Sequence, residues 1–268
     1  MATPVLYTIG PSHYCDKARW ALQRAGITYR ERASAPGTHL ATMLPRGQRA
    51  TPMLVTDDVV LRDSASIVEF ADAALPPLAK LWPDHATHQN DARAFAARCD
   101  RELGPASRRV AYFFLFDDPE LLTRIVCGPA ISRMEAATFR TLRTPIISAM
   151  RRAMSINAEA SARSLERIER IAEDVDELLS HGGRYLFGPR FSAADLTFAS
   201  LFAPLVVPPG YGWPLCTPEE GPPGLRELGE RFVARPCGAF VRRMYAEERT
   251  PAAPTPTPRA STPSVASA

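Results

Sequence analysis

The sequence predicts an α/β domain followed by an all-helical domain. Three observations carry this. Strand and helix signals alternate over roughly the first 75 residues. A proline-marked step follows at Leu75-Pro76-Pro77. From Asp84 onward, period-two patterning gives way to helical periodicity. Residues 1–75 are read as the α/β domain, 84–250 as the helical domain and 251–268 as a disordered tail.

The elements follow in order. The apolar run from Val5 to Ile9 stops at Gly10-Pro11, which marks a buried strand. Residues 15–25 place Ala18, Ala21, Leu22 and Ala25 at helical spacing, and Gly26 ends the helix as a C′ glycine. Residues 28–32 form a second strand. After a polar loop, residues 52–56 and 59–61 flank Asp57-Asp58 as a hairpin. Ser64 opens a helix through Ile67, Val68, Phe70 and Ala71. The order β-α-β-loop-β-β-α describes a small unit of the thioredoxin type.

Residues 75–83 read as a linker. Helical periodicity then runs through 86–103, 119–126, 130–156, 158–180, 192–203 and 224–248. Leu165, Ile168, Ile171, Val175, Leu178 and Leu179 form one apolar stripe of the core-facing kind. Residues 204–223 are rich in proline and glycine and carry Tyr211 and Trp213. That stretch is too long for a routine connection and suggests a cover over a site. The tail is rich in Pro, Ala, Ser and Thr and has no apolar face.

Composition narrows the function classes. Apolar residues make up 46% and charged residues 23% of 268, with a net charge of +3. The cations are scattered and nearly all arginine, so no nucleic-acid platform is expected. No apolar run approaches the about 20 residues of a membrane span, and the N-terminus lacks the pattern of a secretory signal. The expected location is cytoplasmic. Five widely spaced cysteines without a CxxC pair predict neither a disulfide framework nor a zinc site. His85 and His88 are expected as a solvated pair near a helix start.

Four local features can carry chemistry. Ser12-His13-Tyr14-Cys15-Asp16-Lys17-Ala18-Arg19 lies between the first strand and first helix. Free backbone N–H groups and the helix dipole favour an anion there. The Ser12 hydroxyl either caps the helix or donates to a bound thiolate. A free thiol has a pKa near about 8.5, and one charge-assisted hydrogen bond of about 1.5–3 kcal/mol lowers it by one or two units. Thr51-Pro52 precedes a strand. The proline is either an ordinary trans residue or cis, the latter turning the Thr51 backbone toward an extended ligand. Asp63-Ser64 opens a helix and either caps it or holds a zwitterion. Ser192 and Asp195 have capping-box spacing with Phe191 and Leu196 as a staple, a structural pattern.

Taken together, these features resemble the cytosolic glutathione transferase family over most of residues 4–248. The resemblance rests on the order of Ser12 to Arg19, Thr51-Pro52, Asp63-Ser64, the Ser192/Asp195 box and the Ala234-Arg235-Pro236 step. It implies a thioredoxin-like domain that binds glutathione as cosubstrate, without a metal, and a helical-bundle domain that supplies the second-substrate pocket. It implies a transferase that directs the glutathione thiolate at an apolar electrophile, a detoxification role and a homodimer. By position, Ser12 is similar to the activating serine of the theta- and zeta-like classes. Thr51 would pair through its backbone with the cysteinyl part of glutathione beside a cis Pro52. Asp63 and Ser64 would hold the γ-glutamyl group.

Rival readings remain at this stage. Tyr7 lies in the first strand, where core packing suits it better. Cys15 occupies the second position of a glutaredoxin-like CxxC and would serve a thiol-exchange enzyme. A glutathione-dependent peroxidase and a non-catalytic binding or interaction protein are further alternatives. The sequence departs from the family in a long helical domain, with extra residues around 108–160 and 204–223. Phe113, Phe114, Phe116, Tyr211 and Trp213 can line an apolar pocket there or pack in the core.

Overall fold

A computed structural model describes residues 2–217 and 219–249. The 251–268 tail lies outside the described residues. The α/β domain contains β1 (Val5–Ile9), α1 (His13–Arg24), β2 (Arg30–Ser34), α2 (His39–Met43), β3 (Met53–Val55), β4 (Val60–Leu61) and α3 (Ser64–Ala74). The sheet order is β2-β1-β3-β4. β1 runs parallel to β2 and antiparallel to β3, and β3 is antiparallel to β4. This mixed sheet is the thioredoxin-like arrangement that the strand and helix order predicts.

The helical domain comprises α4 (Ala86–Arg98), α5 (Gly104–Leu115), α6 (Pro119–Val126), α7 (Arg133–Ala153), α8 (Ala158–Ser180), α9 (Ala193–Val206), α10 (Pro223–Val233) and α11 (Pro236–Glu247). α6 and α8 begin and end where periodicity places them. Three differences are informative. The polar loop contains the short helix α2. The predicted helix over 224–248 is divided at Arg235-Pro236, because Pro236 cannot continue an i→i−4 ladder. A π-helical turn at Cys99–Leu103 leads from α4 into α5. Pro105 falls in the first turn of α5 directly after this π-helical turn, so the helical path continues through the Gly104-Pro105 pair.

The predicted linker is ordered. Pro77–Ala79 is a 3₁₀ turn, and Leu81 and Trp82 are buried in the core shared by the two domains. α9 is the centre of that core and is buried nearly all round, as a helix with apolar side chains on every face requires, with Asp195, Thr197 and Ser200 buried among them. Its start carries the capping box: the Ser192 hydroxyl accepts from the Asp195 N–H, and the Asp195 carboxylate accepts from the Ser192 N–H at 2.7 Å.

α1 is packed on two sides. Ala18 and Leu22, one turn apart, join Leu6, Leu54 and Ile67 under the sheet. Trp20 and Ala21 enter the core of the helical domain beside α9. This double burial takes three charged residues of α1 out of water: Asp16, Lys17 and Arg19 are each 2% exposed or less. Each has a partner. Lys17 Nζ donates to both Asp100 oxygens at 2.8 and 2.7 Å. Arg19 meets Glu31 at 2.7 Å. Asp16 accepts from Arg249 and the Tyr245 hydroxyl at 2.6 Å each, and from Gly212 N at 2.9 Å. Asp16 and Lys17 therefore fasten the domains together, whereas Arg19 ties α1 to β2 within the α/β domain.

Candidate active site

The site begins where β1 hands over to α1. Ser12 is the N-cap residue, with extended backbone angles. Its carbonyl accepts from Asp16 N at 2.9 Å, and its N–H donates to Ile9 O at 3.0 Å. Its side chain makes no capping bond. The hydroxyl thus stands beside the first-turn N–H groups of α1 without satisfying one. Ser12 lines a cavity of about 910 Å³ between the two domains, a size suited to small-molecule ligands. Thr51 lines the same cavity, and the Thr51-Pro52 bond is cis.

Asp63 caps α3. Its Oδ1 accepts from the Ser66 N–H at 2.7 Å and the Ser66 hydroxyl at 2.9 Å. The Asp63 side is exposed, while Ser64 is buried. Neither residue is among those lining the large cavity, nor is Pro52. The structure thus joins Ser12 and Thr51 in one wall and leaves Asp63-Ser64 outside it.

Cys15 has 0% exposure, and its Sγ donates to the Thr51 hydroxyl at 3.5 Å. Burial pushes its thiol above the usual value, against the pull of Arg19 and of the Thr51 and Ser12 hydroxyls. A raised pKa and no access describe a structural thiol, not an exchange nucleophile. Tyr7 packs with Met43 and Met53 in the core.

His13 is 3% exposed, and its Nε2 lies 3.0 Å from Gly104 O. Burial, aided by the charge of Arg108, lowers its pKa to about 3. The imidazole is neutral at ordinary pH. His39 is likewise lowered, chiefly by burial.

The second wall comes from the helical domain. α5 contributes Arg108, Ala111, Tyr112 and Leu115, spaced i, i+3, i+4 and i+7. The sequence reading has no helix over these residues, because the Gly104-Pro105 pair ahead of them hides the stripe's helical spacing. α6 and α7 add aliphatic side chains such as Leu122, Ile125, Ile146 and Met150. Of the aromatic candidates, Tyr211 lines the cavity, whereas Phe113, Phe114, Phe116 and Trp213 do not. Phe116 and Trp213 are buried in the adjoining core.

Of the 204–223 stretch expected to cover a site, the first residues belong to α9 and Pro223 opens α10, while residues 208–217 cover one side of the cavity. The Tyr211 hydroxyl donates to Pro11 O at 3.0 Å, next to Ser12. Trp213 Nε1 donates to Ile125 O at 2.7 Å. Gly10 and Gly128 leave room for the indole: a Cβ at either position would lie 2.2 or 2.6 Å from it. His85 and His88 sit apart, exposed at the start of α4 with ring centroids 5.2 Å apart.

Two models of one family match the chain. Residues 6–77 match the glutathione S-transferase N-terminal domain, and residues 158–228 match the glutathione S-transferase C-terminal domain. Together they span more than half of the 268 residues. The chain belongs to the glutathione S-transferase family. It is a glutathione S-transferase-like enzyme. Residues 78–157, which include α4 to α7 and much of the apolar wall, lie outside both matches.

Solved structures of the family share the fold. The β-etherase LigF from Sphingobium sp. strain SYK-6 is 21% identical, with a TM-score of 0.57 over 92% of this chain and 100% of that one. A glutathione S-transferase from Xanthobacter autotrophicus Py2 is 15% identical, with a TM-score of 0.55 over 91% and 93%. Glutathione transferase F7 from Populus trichocarpa is 16% identical, with a TM-score of 0.52 over 90% and 98%. No match was found among curated proteins. Among the described residues, no helix is long and apolar enough to cross a membrane.

Proposed function

We propose that the protein is a serine-type glutathione transferase that conjugates the glutathione thiolate to an apolar electrophile held in the interdomain cavity. The observation that carries this reading is the Ser12 side chain. It sits at the N-cap, leaves the helix uncapped and lines the cavity. A hydroxyl so placed donates to a thiolate that also meets the N–H groups and positive dipole end of α1. The thiol proton leaves to water. The sulfur lone pair then forms the new bond to the electrophilic carbon as its leaving group departs.

The remaining contacts follow the same logic. The Thr51 backbone beside the cis Pro52 pairs with the cysteinyl part of the tripeptide. Asp63 keeps Oδ2 for the γ-glutamyl ammonium, since both Ser66 bonds fall on Oδ1. Ser64 receives the γ-glutamyl carboxylate. Arg49 lines the cavity on the same domain and complements the carboxylates of glutathione.

Ser12→Ala tests this directly. Ultraviolet titration of bound glutathione should show its thiol pKa rising by about one to two units, which converts to a roughly 10–100-fold slower conjugation near neutral pH. Glutathione affinity should stay within about threefold, because the tripeptide keeps its other contacts. An unchanged thiol pKa and rate would remove Ser12 from the mechanism.

A further inference from the structure

Two adjacent arginines in α5 have different fates. Arg109 is used by the fold: Nε donates to Met154 O at 2.9 Å and an Nη to the Ser164 hydroxyl at 2.7 Å. Arg108 lines the cavity and, among the described residues, has neither a hydrogen bond nor an ion pair. It is half-buried, and its charge reaches His13, Tyr14 and Tyr112.

The surroundings make that charge conspicuous. Among the described residues, no aspartate or glutamate lines the cavity. Among the described residues, Arg108 is the cation that the helical domain presents there, facing Arg49 and the neutral His13 of the α/β domain. One turn along, Tyr112 also lines the cavity, its ring stacked on Phe116 with centroids 5.0 Å apart. A guanidinium on an apolar, partly desolvated wall lacks a partner that a bound anion would supply, and it pairs strongly with one.

We propose that Arg108 selects second substrates that carry an anionic group, such as a carboxylate, on an apolar aromatic body. The inference rests on the glutathione reading for the reaction and adds the acceptor's charge. The anion meets Arg108, and the apolar body lies along Tyr112 and the aliphatic side chains of α6 and α7. Arg108 stands in the segment that neither family domain match covers, where this chain shapes its own acceptor wall.

The test compares matched acceptors. A chloronitrobenzoate and the corresponding chloronitrobenzamide undergo the same substitution: the thiolate sulfur bonds to the ring carbon, chloride leaves with the C–Cl electron pair, and the thiol proton goes to water. After correction for the uncatalysed rates, the wild type should favour the carboxylate in kcat/KM by about tenfold or more, the scale of one charge-assisted bond. Arg108→Gln should abolish that preference while sparing the neutral acceptor, the KM for glutathione and the thiol pKa. Arg108→Lys should retain part of it. A preference unchanged in Arg108→Gln, or an equal loss for both acceptors with a raised thiol pKa, overturns the proposal.

A second readout requires no turnover. Calorimetry without glutathione should show naphthoate binding more tightly than naphthamide, with the difference lost in Arg108→Gln. Equal binding of the two overturns the proposal. Absence of conjugation alongside a naphthoate preference would instead reject the glutathione reading and leave the anion site standing.

Discussion

His13 shows how one side chain ties the first turn of α1 to pH. It is held neutral, with a pKa near 3, by burial first and by Arg108 second. Unfolded, the same residue titrates near about 6.5. The folded value is the lower one, so this contribution to stability is complete above about pH 6.5 and is lost as pH falls toward the folded value. The slope reaches about 1.4 kcal/mol per pH unit in that window. Denaturant titrations at a series of pH values should show the slope in the wild type and a flatter profile in His13→Gln. A parallel pair of profiles would assign the acid sensitivity to another group. At this scale the sequence was a good guide to place. Ser12 follows a strand and precedes a helix, Thr51 precedes a proline, and both positions line one cavity, as the family resemblance implies. It was a poor guide where chemistry depends on what faces a residue. Nothing in the string Arg108-Arg109 tells that one arginine is tied to Met154 and Ser164 while the other faces a cavity.

Among the elements, the 208–217 cover is the one most exposed to a single substitution. It is held by Tyr211 on Pro11, Gly212 on Asp16 and Trp213 on Ile125. Gly10→Ala would put a methyl group 2.2 Å from the indole and force the ring away. Overpacking of this kind costs about 1–3 kcal/mol, and loss of the indole hydrogen bond adds about 1 kcal/mol. The expected outcome is lower stability with a red-shifted tryptophan emission, read by denaturation and fluorescence. A wild-type spectrum would show that the cover tolerates the methyl group. The helices were legible in proportion to their regularity. Ala158–Ser180 has a clean apolar stripe and an Asn157 cap, and its bounds follow from them. α2 has five residues, too few to display a period, and α5 begins with two residues that usually interrupt a helix.

Across the whole molecule, Asp16 is the joint on which the two domains meet. It belongs to α1 yet is satisfied by residues from the far end of the chain. Arg249→Met leaves a buried carboxylate with two hydrogen bonds and the more distant Arg19, 3.9 Å away. Losing one partner of a buried pair costs about 3–5 kcal/mol, and the remaining contacts place this case near 3. The melting temperature should fall by roughly 6–12 °C in calorimetry, both domains unfolding together. The double variant Asp16→Asn with Arg249→Met should recover part of the loss, because the stranded charge is gone. No recovery would mean that Arg249 matters through its packing on Trp20, 5.2 Å below its guanidinium. Such a joint was invisible in the sequence, since its two ends are 233 residues apart. The same separation has a consequence during synthesis. The ribosome releases the first helix early, with an orphaned carboxylate on its flank. At about 5–20 residues per second, its counter-charge emerges some 10–50 seconds later. Until then the nascent amino-terminal portion lacks its seal, and the first helix waits on residues 212–249 for its partners.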